Sequence, residues 1–157
     1  MTQQKKANRP TSSADEPTGV QSLIRYREQR ASLIPRDIGV YALCDLDNVP
    51  IYVGQSRDGI RQRVQRHITS ARSDVIANRQ VDVWEIGWIK CWVDTNPTHL
   101  TPLENYLYSQ FHPVSPLMNG TTPPQSPDTL GFIVPVSVTV QILPDIEIEI
   151  RRRVQMR

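Results

Sequence analysis

Cysteine is nearly absent: Cys44 and Cys91 are the only two in 157 residues, too few and too far apart for a disulfide framework or a zinc cluster. They read as buried core thiols. Long apolar runs are missing too. The opening stretch, residues 1–19, lacks the apolar core of a signal peptide. The stretch from Phe132 to Leu143 is interrupted by Pro135, Ser137, Thr139 and Gln141, far short of the roughly 20 apolar residues of a membrane span. These absences point to a soluble, cytoplasmic chain with no membrane partner. What is present, 38% hydrophobic and 22% charged residues, suffices for one packed core with tails.

Lysine is nearly as scarce as cysteine. Only Lys5, Lys6 and Lys90 accompany fifteen arginines, and arginine is the side chain whose planar fork suits phosphate. Between Arg57 and Arg79 six arginines face only Asp58 and Asp74, a local +4 in a chain whose total is +2. The positive charge is therefore concentrated in one segment, which suits a solvated helix and a nucleic-acid surface equally.

Residues 1–19, polar with scattered charge, read as a disordered arm. Val20 to Ala31 reads as a short amphipathic helix, with Leu23, Ile24 and Arg27 on neighbouring turns and Pro35 preventing its continuation. The apolar runs Ile38–Cys44 and Pro50–Gly54, separated by the turn-forming Asp45-Leu46-Asp47-Asn48, predict a β-hairpin. Asp58 is a candidate N-cap for a helix from about Gly59 to Arg72, on which Ile60, Val64, Ile68 and Ala71 recur at helical spacing.

Val81 to Val93 carries Trp84, Trp88 and Trp92 four apart, and its β-branched residues favour a strand with a bulge or break at Gly87. The tryptophans suit a core stripe, with base stacking as the functional alternative. Thr101-Pro102-Leu103-Glu104 has the form of a capping box opening a helix that stops near His112, before Pro113. The proline-rich Val114 to Asp128 reads as loop. Gly131 to Leu143 reads as an edge strand because of Pro135, and Asp145 to Arg157 as a short basic helix, with a strand also compatible with the alternation of Ile146, Ile148 and Ile150.

Tyr, Arg, His and one carboxylate recur at spacings that could converge on a phosphodiester. Arg63 and His67, at i and i+4, flank the Ile60/Val64/Ile68 stripe, whereas Arg66 points away from it. A charge at the edge of a core stripe is half-sheltered from water and acts more strongly on a phosphate. Gly39-Val40-Tyr41, ten intervening residues, Tyr52-Val53-Gly54, then Ile60-x-x-Arg63-x-x-x-His67, Glu104, Pro113 and Asn119 together resemble the GIY-YIG nuclease superfamily over residues 38–119. That resemblance implies an α+β domain over residues 20–129 with a small central three-stranded antiparallel sheet flanked by helices. The arm 1–19 and a 130–157 extension lie outside it.

The resemblance further implies a metal-dependent DNA endonuclease. Tyr41 and Tyr52 would lie on adjacent strands, either one able to touch the attacking water. Arg63 and His67 would supply a cationic field that favours a phenolate. Glu104 would hold one divalent ion per site, Mg²⁺ or Mn²⁺, although a capping role explains the same residue. Gly54, Arg57, Arg61, Arg66 and Asn119 would contact the substrate. Gly59 is an extra residue relative to the family pattern, so Arg63 is preferred to Arg61 by its phase, and Asn119 stands farther from Pro113 than the family usually places it. No nucleotide cofactor is expected, and His99 and His112 match no motif position. No separate DNA-reading domain is visible, so specificity is expected from loops, the first helix, the extension or a partner. One such site cuts one strand, so a homodimer is an economical route to a double-strand break, with restriction or defence as the first role and mobile-element or repair cleavage beside it. The competing classes are a nucleic-acid-binding module without turnover and a structural interaction domain, distinguished by cleavage and by salt-sensitive binding.

Overall fold

Every third or fourth residue of the first helix points one way, and Leu23, Arg27 and Ala31 are its buried positions. This helix, α1 (Val20–Ala31), has the extent expected of it. In the computed structural model, which describes residues 19–69, 83–113 and 130–155, Arg27 is 2% exposed. Its guanidinium donates to the carbonyls of Val83 (2.8 Å) and Ile86 (2.6 Å) and lies 4.4 Å from the centre of the Trp84 ring. A buried cation is tolerated here because carbonyl dipoles and an aromatic face replace the water it lost.

The expected hairpin forms from β1 (Gly39–Cys44) and β2 (Pro50–Ser56), antiparallel, with Tyr41 opposite Gly54 and Leu43 opposite Tyr52. Its turn is held by the Asp45 carboxylate, which accepts from the amides of Asp47 and Val49. Asn48 takes the left-handed conformation at φ 63°, which Asn tolerates better than most residues.

The next helix, α2 (Ile60–Thr69), starts by a different device from the Asp58 cap expected. Its first amides, from Ile60 and Arg61, donate to the carbonyls of Asp37 and Pro35, and Gly59 accepts from Arg63. Gly59 stands at φ 129°, a conformation that disfavours any side chain. The residue extra to the family pattern is therefore the one that turns the chain into the helix.

The strand expected over Val81–Val93 is shorter. Val83–Glu85 forms a 3₁₀ turn, the chain breaks at Gly87, and β3 spans Trp88–Val93. Arg27 occupies the carbonyls of Val83 and Ile86 that a ladder would have used. Val81, like Ala71 and Arg72 of the expected α2, lies outside the described residues. Trp92 is buried beside Phe111 and Trp84 and Trp88 are half-buried in packed clusters, so the stripe packs as core.

The capping box at Thr101 is overturned. Helix α3 runs Pro97–Phe111, with Asn96 as N-cap accepting from the Thr98 amide at 3.0 Å, and Pro102 lies inside it. Asn96-Pro97 supplies both a capping side chain and a proline suited to the first turn. The buried Leu100, Leu103 and Leu107 then form one uninterrupted face.

The central sheet has four strands where three were expected, in the order β2-β1-β3-β4 and antiparallel throughout. The fourth, β4 (Val138–Gln141), comes from the expected C-terminal extension and lies at the edge, as Pro135 required. Helix α4 (Asp145–Gln155) resolves the helix-or-strand ambiguity of the last segment. On one face of the sheet Tyr41, Leu43, Ile89 and Cys91 pack with Ile60, Val64 and Ile68 of α2 and with Ala31 of α1. On the other Val40, Ala42, Val53 and Trp92 pack against Leu103, Leu107 and Tyr108 of α3. Cys44 and Cys91 are buried free thiols on opposite faces, each pushed up to about 12 by burial. Among the described residues no helix is long and apolar enough to cross a membrane.

Candidate active site

The hairpin register decides which side chains meet. Tyr41 and Tyr52 lie on neighbouring strands, two register positions apart, and their ring centres are 6.2 Å apart. His67, one turn beyond Arg63 on α2, brings its ring 5.8 Å from both. Its Nε2 stands 2.8 Å from the Tyr41 hydroxyl.

Gly54 lies beneath the two tyrosines. A Cβ there would stand 2.7 Å from the Tyr41 hydroxyl oxygen and 2.9 Å from Tyr52 Cε1. The missing side chain makes room for the aromatic pair itself, a closer reason for glycine than the approach of a phosphate. Gly54→Ala is expected to displace at least one ring and to cost about 1–3 kcal/mol of stability. A thermal melt beside a plasmid-cleavage assay checks this, and an unchanged melt with full activity would refute the packing argument.

Burial controls the protonation of this cluster. Tyr41, 1% exposed, has its pKa raised by desolvation and then by the Tyr52 hydroxyl, against the opposing hydrogen bond and positive charge of Arg63. Tyr52 is raised by burial and by the negative charge of Glu104. His67 is pushed down to about 4, first by burial and then by the positive charges of Arg63 and Arg66. Both tyrosines keep their protons near neutrality and His67 is uncharged, so the cationic field expected from the Arg63–His67 pair comes from Arg63 alone. A phenol that retains its proton and a neutral imidazole 2.8 Å away form a proton donor–acceptor pair when the ring proton is on Nδ1.

Glu104 approaches from the opposite face of the sheet. Residues alternate along β2, so Tyr52 and Gly54 face the α2 side while Val53 and Gln55 face α3. Because β2 is an edge strand, groups from both faces can meet around it. The Gln55 amide donates to Glu104 Oε1 at 2.6 Å and to Thr101 Oγ1 at 3.1 Å. Gln55 was missed by the sequence reading. Its signal was its position two residues after Val53, on the face that receives α3.

Burial raises the Glu104 pKa, and the Gln55 hydrogen bond opposes the rise. Among the described residues no basic side chain is ion-paired with Glu104, and no group of three or more His, Cys, Asp or Glu forms a metal cage. A half-buried carboxylate without a countercharge suits one hard divalent cation whose other ligands are phosphate oxygens and water.

The remaining expected residues disperse. Arg63 stays beside the tyrosines but is exposed, not half-sheltered as its place at the edge of the core stripe suggested. Arg61, two residues away and so about 200° around the helix, instead donates through Nε to the Ile34 carbonyl at 2.8 Å. With Arg36, Gln62 and Gln65 it lines a separate open cleft of about 420 Å³. Arg66 makes an exposed 3.9 Å pair with Asp58, and Arg57 reaches the Pro97 carbonyl at 3.4 Å. His99 is bonded to Asp94 and stacked on Phe132. Asn119 lies outside the described residues. A comparison with curated proteins finds no match. The family model described as the GIY-YIG catalytic domain matches residues 37–117, more than half the chain, from just before β1 to just beyond α3. With its two tyrosine strands paired and its Arg-His helix packed against them, the chain belongs to the GIY-YIG family of nuclease domains.

Proposed function

We propose that this chain is a metal-dependent DNA endonuclease that hydrolyses one phosphodiester by in-line attack of water, with restriction or defence as its role. The observation that carries the reading is the meeting of Tyr41, Tyr52, Arg63 and His67 on one side of an edge strand whose other side bears Glu104. Tyr41 and His67 form the proton path: the hydroxyl oxygen takes a proton from the attacking water as its own proton passes to Nε2 of neutral His67. Tyr52, half-buried and within the field of Glu104, orients the water or the phosphate beside it. Arg63, exposed beside the tyrosines, sets its charge against the phosphate. Glu104 would hold one Mg²⁺ or Mn²⁺, which when bound would supply electrostatic stabilisation for the charge that develops on the leaving oxygen. Arg57, Arg61 and Arg66 add phosphate contacts along the flanking DNA.

The test is incubation of the purified chain with supercoiled plasmid, with Mg²⁺ or with chelator. Mg²⁺-dependent nicked, linear or discretely cut product supports the reading, and fragments of fixed size support a restriction-type role. Salt-sensitive DNA binding with no cutting on plasmid, on branched DNA or on single strands would make this a binding module instead.

A further inference from the structure

Helix α4 reads Asp145-Ile146-Glu147-Ile148-Glu149-Ile150-Arg151-Arg152-Arg153-Val154-Gln155. Ile148 is buried against Leu46 and Leu143, with Trp84 and Trp88 beside them, and this seat fixes the rotation of the helix. Ile146, Ile150 and Val154, each one turn from the next, then form a second stripe on the outward side. They are 44%, 46% and 64% exposed. A helix that only faces water carries polar residues on that side, so a continuous aliphatic stripe there marks a contact surface.

The charges beside the stripe are ordered. Asp145, Glu147 and Glu149 occupy the first half of the helix and Arg151, Arg152 and Arg153 the second. Taking 100° per residue, Glu147 and Arg151 flank the stripe on one side and Glu149 and Arg153 on the other, so a second copy turned about an axis at Ile150 brings Glu147 beside its Arg151, Glu149 beside its Arg153, and Ile146 against its Val154. Two copies of α4 laid antiparallel about a twofold axis at Ile150 place stripe on stripe and the acidic half of each on the basic half of the other. Parallel packing would set like charges together and align the helix dipoles unfavourably.

We propose that the outward face of α4 is a homodimer interface, occupied by α4 of a second copy in antiparallel, twofold-symmetric packing. The flanking side chains are already held in order by the ion pairs Arg151–Glu147 (2.7 Å) and Arg153–Glu149 (3.6 Å), while Arg152 turns to the inward side and pairs with Asp47 (2.6 Å). Tyr41, Tyr52, Arg63, His67 and Glu104 all lie on other elements, so pairing through α4 does not use them. The homodimer that a double-strand break would require would pair here, but the argument rests on α4 alone. One helix of 11 residues from each copy buries less than the roughly 1,200–2,000 Å² of a standard interface, so association is concentration-dependent.

The test is sedimentation equilibrium of the full chain over a concentration series from low micromolar to several hundred micromolar. The mass is expected to rise from that of one chain, 17.9 kDa, towards twice that value. Ile150→Glu, which sets two carboxylates on the axis, is expected to remain monomeric throughout, with its circular dichroism and thermal melt unchanged because the site is exposed. Arg153→Glu is expected to weaken the dimer at least about tenfold at low salt, and adding Glu149→Arg to that variant to restore it. A wild-type mass of one chain at every concentration, a dimer unaffected by Ile150→Glu, or failure of the exchanged pair to recover would overturn the proposal. The readout is mass, so it is independent of whether the chain cuts DNA.

Discussion

Replacing Glu104 with alanine is expected to lower DNA cleavage by roughly 10³-fold or more while leaving most of the DNA affinity in place, since loss of one preorganised charge-stabilising group typically costs 10²–10³ and here the metal would be lost with it. Glu104 is the one carboxylate at the site, it is half-buried, and it has Gln55 as donor but no cationic partner among the described residues. Its removal should therefore spare stability, because it relieves a desolvated charge and leaves only the Gln55 amide short of one acceptor. Single-turnover cleavage, filter binding and a thermal melt separate the three quantities. Retention of cleavage within tenfold of wild type would remove Glu104 from the mechanism. In the metal-free chain the Glu104 carboxyl should take up its proton at a higher pH than an ordinary carboxyl, because burial disfavours its charge.

Replacing His67 with glutamine is expected to reduce cleavage by roughly 10²–10⁴-fold, the range of a general acid–base contribution, since glutamine keeps the polarity but cannot take up the Tyr41 proton. The pKa of about 4 sharpens the test. An ordinary histidine would impose a change near pH 6.5, whereas His67 is already neutral there, so the wild-type profile should show no histidine titration between pH 6 and 7.

The same depression makes stability depend on pH. In the unfolded chain His67 takes up its proton near 6.5, and in the folded chain only near 4. The unfolded state thus binds more protons between these values, so stability rises with pH across that window and is lost as pH falls through it. The size is on the order of 3 kcal/mol. Glu104, whose pKa is raised, contributes in the opposite direction, more weakly because it is less buried than His67. Melts of wild type and His67→Gln between pH 4 and 7 check the sign, and an equally steep dependence in the variant would show that another group is responsible.

The extent of α1, the β1–β2 hairpin and the break at Gly87 were legible in the sequence because each depends on neighbours within a few residues. Helical spacing, turn residues and strand alternation are local properties. The different directions of Arg63 and Arg61 were legible as well, since residues two apart on a helix face different ways. Competition between local signals was harder. Thr101 offers a good cap, but Asn96-Pro97 offers another one turn earlier, and only the packing of Leu100 with Leu103 and Leu107 selects between them.

Pairing and protonation required the tertiary structure. Val138–Gln141 looked like an edge strand, yet its union with β3 as a fourth strand is a contact between segments about 50 residues apart. The charge of His67 was misread because an imidazole titrates according to what covers it, and α2 presses this one against Tyr41 and Tyr52 beside two arginines. Gln55 was invisible as a partner of Glu104 because 49 residues separate them and only the wrapping of α3 behind β2 brings their side chains together. The sequence alone thus determined the family, most elements and which side chains are candidates for the site. The folded chain decided which of them touch, which are charged, and on which side of the edge strand each one stands, because burial and long-range proximity are properties of the whole chain.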